Sequence, residues 1–267
     1  MSISRLMQMG AAGAETSNPW DISGAQYNGS PVNWLTFSEV NTPISSFFKP
    51  DGLKMYIVDI VGDDVNEYNL STAWDISSAS YLQNFSVAAQ ETTPQDVFFK
   101  PDGLKMYVVG IVGDAVYEYN LSTAWDISSA SFLQSFSVSA QDTNPSGIFF
   151  KPDGTKMYIN GGIGDDVNEY NLSTAWDVST ASFVRSFSVS AQDTNPTSVF
   201  FKPDGLKMYV LGNAGDDVNE YDLSTAWDIS SASFLQSFSI ANDGPSPQGV
   251  FFKPDGTKMY INGGIGD

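Results

Sequence analysis

A twelve-residue phrase, FFKPDGLKMYIV, begins at Phe47 and returns in near-copies at Phe98, Phe149, Phe200 and Phe251, each 51 residues after the last. Such a chain is an array: each copy must form the same small unit, and the units must bury their apolar faces against one another. Four stretches of the second copy read as strands: one carrying Phe98 and Phe99, then Lys105 to Gly110, Ala115 to Leu121, and Ser131 to Val138. They are rich in aromatic and β-branched residues and bounded by Gly, Pro, Asp, Asn and Ser. No segment keeps a helical period. In KPDG, Pro presets φ, Asp tolerates the next position and Gly supplies a positive φ, which closes a tight hairpin between the first two strands. Pairs such as Phe149-Phe150 imply sheets covered on both faces. Four antiparallel strands per unit, repeated radially, make β-propeller blades.

The phase of the repeat predicts a blade count. The phrase WDIS and its variants begin at Trp20, Trp74, Trp125, Trp176 and Trp227, the first interval being 54 residues and the others 51. The chain reaches Asp267 at the point of the repeat where Gly10 resumes it, and residues 10–267 make five periods and three residues more. The expectation is an all-β, five-bladed propeller of 51-residue four-stranded blades, closed by a composite blade that joins the N- and C-termini. Closure of this kind removes exposed sheet edges. Residues 1–9 are read as an N-terminal tail and 10–267 as a single domain, with GAAGAETSN (Gly10 to Asn18) as a poor third strand of the composite blade. A fragment of a longer array is the competing reading.

Composition removes several function classes. With 12 basic and 31 acidic residues the net charge is −19. It repels phosphate backbones and anionic lipid, so neither nucleic acid nor membrane insertion is expected. The chain has no cysteine and no histidine. That rules out disulfides, thiolate metal sites, a Ser-His-Asp triad and His-ligated metal. No apolar run approaches the roughly 20 residues of a membrane-spanning helix. MSISRLMQMGAAGA makes a poor secretion signal, its short apolar patch being broken by Gln8 and Gly10.

Topology puts the loops between second and third strands at one end, with the blade-to-blade loops, and the KPDG and WDIS loops at the other. The first end collects Asp63, Asp64, Asp114, Asp165, Asp166, Asp216, Asp217 and Asp267, together with Glu39, Glu91, Asp142, Asp193 and Asp243. The ten lysines fall at the other end, in the KPDGxK hairpins. The GDD acids are candidate Ca²⁺ ligands, because Ca²⁺ takes carboxylate and carbonyl oxygen; turn preference and solubility are the competing and simpler explanation. The tryptophans Trp20, Trp74, Trp125, Trp176 and Trp227 are candidate sugar-stacking platforms, or else wedges between blades. Near-identical repeats leave few unlike residues for catalysis. The departures are Asp59, Asp96, Ala115, Tyr117 and Arg185; of these Asp59 and Asp96 fall toward the acidic end near the channel, and drift between duplicated units accounts for such changes without function.

FFKPDGTKMYI resembles the F-S-P-D-G-x-x-L-Y-V hairpin of YVTN-type and TolB-like propellers, with Lys for the Ser before Pro and Met for Leu. That resemblance implies the fold and leaves function open. The WDIS phrase is not the signature of the Trp-Asp repeat propellers, whose Gly-His partner needs a histidine. SRLMQMGAAGA looks like the opening of virion and tail-associated proteins of marine bacteriophages, some of which carry KPDGxKMY and GDDVNEY repeats. It implies a virion or tail-fibre component, outside the cell or on the particle, touching other virion proteins or a glycan or protein of the host surface. The expectation drawn from these readings is a non-enzymatic structural or adhesive module. A lectin-like multivalent glycan-binding protein is the alternative, and a carboxylate-pair glycosidase the third reading.

Overall fold

The structure is a computed structural model and describes residues 4–11, 19–27, 32–33, 39–241 and 246–264. Three strands come first: β1 (Ser4–Ala11), β2 (Ala25–Tyr27) and β3 (Val32–Asn33). Four quartets follow: β4 (Pro43–Phe48), β5 (Lys54–Asp59), β6 (Asp64–Leu70) and β7 (Ala79–Ser86); β8 (Pro94–Phe99), β9 (Lys105–Gly110), β10 (Ala115–Leu121) and β11 (Ala130–Ser137); β12 (Pro145–Phe150), β13 (Lys156–Gly161), β14 (Asp166–Leu172) and β15 (Ala181–Ser188); β16 (Pro196–Phe201), β17 (Lys207–Gly212), β18 (Asp217–Leu223) and β19 (Ala232–Ser239). β20 (Pro247–Phe252) and β21 (Lys258–Gly264) close the order. Each quartet is a four-stranded antiparallel sheet with its strands adjacent in chain order. The protein is therefore all-β, with four-stranded blades in a propeller arrangement.

The gradient of burial runs outward within a blade. Every residue of β4 is buried, β5 and β6 are buried nearly throughout, and β7 exposes most of its residues. The inner strands β4, β8, β12, β16 and β20 are neighbours in that order, and β20 is again a neighbour of β4. Phe47, Phe98, Phe149, Phe200 and Phe251 meet edge to face along this series with centroids 5.0–5.5 Å apart, and Phe251 meets Phe47. One phenylalanine of each FF pair thus lines the axis while the other packs between sheets. The outer strands lack a smooth edge: the register slips by one residue in each quartet, as between Glu118 and Tyr119 opposite β11. Bulges of this kind discourage edge-to-edge pairing.

In the remaining sheet the order is β2-β1-β21-β20, with β3 also pairing β1. β1 runs antiparallel to β21 from Ser4 opposite Gly264 to Gly10 opposite Lys258. This corrects the sequence reading of the third strand. The strand is SRLMQMGA, not GAAGAETSN, and it begins inside the segment set apart as a tail. The reason is propensity: Gly and Ala are depleted in strands, so the Gly/Ala-rich stretch makes the poorer one. Residues 12–18 of the expected strand lie outside the described residues.

Candidate functional site

The tryptophans pack. Each sits at positive φ, between 64° and 74°, in the turn before a short 3-10 helix. Trp125 N–H donates to Gly103 O (3.0 Å), while Tyr56 of the preceding sheet donates its hydroxyl to Trp125 O (2.8 Å). A Cβ added at Gly103 would overlap the Trp125 indole, so this glycine serves both its φ of 73° and the ring above it. The other face lies on Phe99, with centroids 5.6 Å apart. Trp20 repeats the arrangement, its N–H reaching Gly256 O and its carbonyl accepting from Tyr209. Trp20, Trp74, Trp125, Trp176 and Trp227 are each 8% exposed. An indole covered on both faces offers no platform for a sugar.

Nine of the ten lysines pair with an acid at their own end. Lys105 pairs with the buried Glu118 on the neighbouring strand. Glu118 Oε2 also accepts from Gln134 Nε2 (2.9 Å) and from Val178 N of the next sheet (3.1 Å). Arg185 replaces that glutamine in the third quartet and bonds Asp228 of the next repeat at 2.7 Å. It is a latch between sheets.

At the acidic end the GDD acids are turn residues. Asp63, Asp114, Asp165 and Asp216 take positive φ of 45–49°. Asp64, Asp166 and Asp217 each accept from an asparagine two residues on, at 2.6 Å. Among the described residues no three acidic side chains gather in a group that could hold a metal ion. Asp243 and Asp267 lie outside the described residues. The second quartet carries a paired exchange: Ala115 stands where the others have Asp, Tyr117 stands where they have Asn, and the Tyr117 hydroxyl turns to Glu91 (3.4 Å).

The blade-to-blade acids are inward groups. Asp193 is buried and accepts from Asn195 N (2.6 Å), Ala214 N (3.4 Å) and Gly215 N (2.7 Å), which ties two loops together. Glu91 and Asp142 do the same work. A Cβ at Gly110, Gly161 or Gly212 would overlap these carboxylates, so the acid demands the glycine. The first quartet reverses the pair. Val40, not the exposed Glu39, occupies the position of the acid, and Asp59 replaces the glycine, accepting from Asn41 N (2.7 Å), Thr42 N (2.9 Å) and Val61 N (3.0 Å). Asp59 is thus a loop tie, and two substitutions that look like separate drift are one compensated exchange. Asp193→Val is expected to cost about 1–3 kcal/mol through unmet backbone donors. Adding Gly212→Asp is expected to restore most of it, as read from urea midpoints of the two variants.

Asp96 remains. Its counterparts are Ser45, Gly147, Ser198 and Gly249, so one repeat alone carries a carboxylate here. It is buried beside a cavity of about 20 Å³ on the axis, bounded by Ser46, Val97, Ile148 and the phenylalanine series. That volume holds about one water molecule. Oδ1 accepts from Ser45 Oγ and Val97 N (2.8 Å), and Oδ2 from Ile148 N of the next sheet (3.0 Å). Burial outweighs these donors and pushes the carboxyl up to about 6. The folded state therefore binds the proton more tightly than the unfolded chain. The stability it contributes is full below about pH 4 and is lost as pH rises through about 6, by up to about 3 kcal/mol. Asp96→Ser is expected to abolish that slope. Serine is the suitable variant because Ser198 Oγ already accepts from Val250 N (3.3 Å) in the equivalent place, whereas an asparagine amide would face the Ile148 N–H.

No family model matches the chain, and no curated protein does. Solved structures do resemble it. A protein of Bacteroides fragilis provisionally named a 6-phosphogluconolactonase is 17% identical with a TM-score of 0.51, over 74% of this chain and 55% of that one. Another so named, from Bacteroides uniformis, is 13% identical with a TM-score of 0.53, over 97% and 75%. A nidogen–laminin complex matches at 11% identity and TM-score 0.55, over 92% and 81%. The chain spans little more than half the length of the first of these. The class defined here is the β-propeller, in a repeat form like that of the lactonase-type structures. At such identity the likeness is one of fold.

The comparison nevertheless corrects the expectation of a non-enzymatic structural or adhesive module, and with it the exclusion of enzyme activity. Two of these three neighbours carry enzyme names on the same scaffold. The exclusion rested on repeats too alike to hold a catalytic centre. Asp96 breaks that likeness beside the axis, where all the repeats meet.

Proposed function

We propose that the chain is a five-bladed propeller hydrolase acting on a small, uncharged cyclic ester, with Asp96 as its general base. The blade count is supported by the closed series of five phenylalanines and by Trp20 taking the place of a repeat tryptophan against Gly256. The fifth blade is the composite one, β1 and β2 beside β21 and β20. The observation that carries the function is the single carboxylate beside the axial cavity, raised to about 6, close to the working range of a general base.

The axial cavity has room for the attacking water alone, so the ester meets that water at the cavity mouth; Asp96 takes a proton from the water as its oxygen adds to the ester carbonyl carbon. The tetrahedral adduct then breaks the ring C–O bond, and Asp96 returns the proton to the departing oxygen. The neighbours' names point to a phosphorylated sugar lactone, but a net charge of −19 opposes an anionic substrate. Unphosphorylated gluconolactone is therefore the favoured probe, with 6-phosphogluconolactone as its contrast.

The purified chain is expected to hydrolyse gluconolactone above the spontaneous rate, with activity rising through about pH 6, and Asp96→Ser is expected to lose about 10²–10⁴-fold. A second reading has its own support: Ser198 makes the same step to Val250 N, which casts Asp96 as a clamp between blades. On that reading Asp96→Ser alters stability and leaves any hydrolysis unchanged, and this result would overturn the proposal.

A further inference from the structure

We infer that Ser45 is the positioning residue for Asp96, so that the seam between the first and second quartets, alone among the seams, is built to hold a carboxylate beside the axial cavity. This rests on the reading of Asp96 as the hydrolytic base. Ser45 lies on β4 and Asp96 on β8, at equivalent positions 51 residues apart. The Ser45 hydroxyl is buried and donates to Asp96 Oδ1. Backbone N–H groups hold the carboxylate from its own strand and from β12, through Val97 and Ile148. Ser45 is thus the one side chain among its donors. Without it the carboxylate keeps a backbone anchor on each oxygen and loses the side-chain donor that ties Oδ1 to the preceding sheet.

The other repeats show how specific this is. At the next position along, Gly147 stands in place of Asp96, and the amide of Asn160, its cross-strand partner, fills the space a Cβ would need. Gly249 likewise lies opposite an asparagine, Asn262, whose Oδ1 accepts from Ser46 Oγ at 2.8 Å, while Ile44 O and Ser45 take the space a Cβ at Gly249 would need. Ser45 and Asp96 face aliphatic partners instead, Val58 and Val109. The inner strands therefore carry two exchangeable solutions, Gly with Asn or a short polar group with an aliphatic one. The serine–aspartate neighbourhood arises where two copies of the second solution adjoin. Of the residues bounding the cavity Asp96 is the titratable one, and the contributions to its proton affinity come from burial, Ser45, Val97 and Ile148, with no charged group among them.

The test is Ser45→Ala beside Ser45→Thr, read in two ways. Carbon-13 NMR of the Asp96 carboxyl follows its titration whether or not the chain is active. Lactone hydrolysis follows kcat and KM. In Ser45→Ala the midpoint is expected to rise by about one pH unit, since a donor to the charged form is gone. The acid limb of kcat should rise with it, kcat should fall about tenfold and KM should stay, and Ser45→Thr should restore all three. A midpoint unmoved in Ser45→Ala overturns the inference, as does a moved midpoint with unchanged kcat in a chain whose hydrolysis depends on Asp96. If the midpoint moves but the parent shows no hydrolysis, the function proposed for the site fails, and with it the positioning role, while the Ser45–Asp96 contact itself stands.

Discussion

Trp125→Ala is expected to destabilise the protein by about 3–5 kcal/mol. The indole is buried, stacks on Phe99 of its own sheet, and reaches Phe47 and Tyr56 of the sheet before. Its removal opens a cavity at a seam that neither sheet can collapse into alone. The backbone hydrogen bonds to Gly103 and from Tyr56 stay possible, so the loss reads the packing of the ring. Urea unfolding should show a lower midpoint with an unchanged slope. A destabilisation below about 1 kcal/mol would return the tryptophans to the surface role that sequence reasoning left open.

Deleting Ser4–Ala11 should have the larger effect. β1 contributes the partner of β21 along seven register positions and also carries β2 and β3. Without it β21 becomes a bare edge on the side away from the inner strand β20. The deletion is expected to abolish the cooperative melt and shift the protein into aggregates, since unpaired edges recruit other chains. Light scattering after size-exclusion chromatography measures this directly. A monomer that melts at the parent's temperature would remove β1 from any part in closing the ring.

Most of the architecture was legible in the residues. The 51-residue period, the KPDG hairpins and the four strand-like stretches per unit depend on local rules, chiefly the φ that Pro and Gly permit and the fit of aromatic and β-branched side chains to a pleat. These rules act within about ten residues, so repetition made them redundant and easy to read. The phase that led from Asp267 back to the N-terminal segment was legible for the same reason, although it chose the wrong stretch for the third strand.

The tertiary structure decided what repetition conceals. Whether an indole is a platform or a wedge depends on what lies across the seam, and Gly103 sits 22 residues before Trp125 with nothing local to announce their contact. Val40 with Asp59 looks like two unrelated changes until the carboxylate is seen to enter one pocket from the opposite side. Asp96 was visible as an oddity, but its altered proton affinity comes from burial among neighbouring sheets. Local chemistry shaped the blade; the meeting of blades at the axis set the burial, and with it the proton affinity, of Asp96.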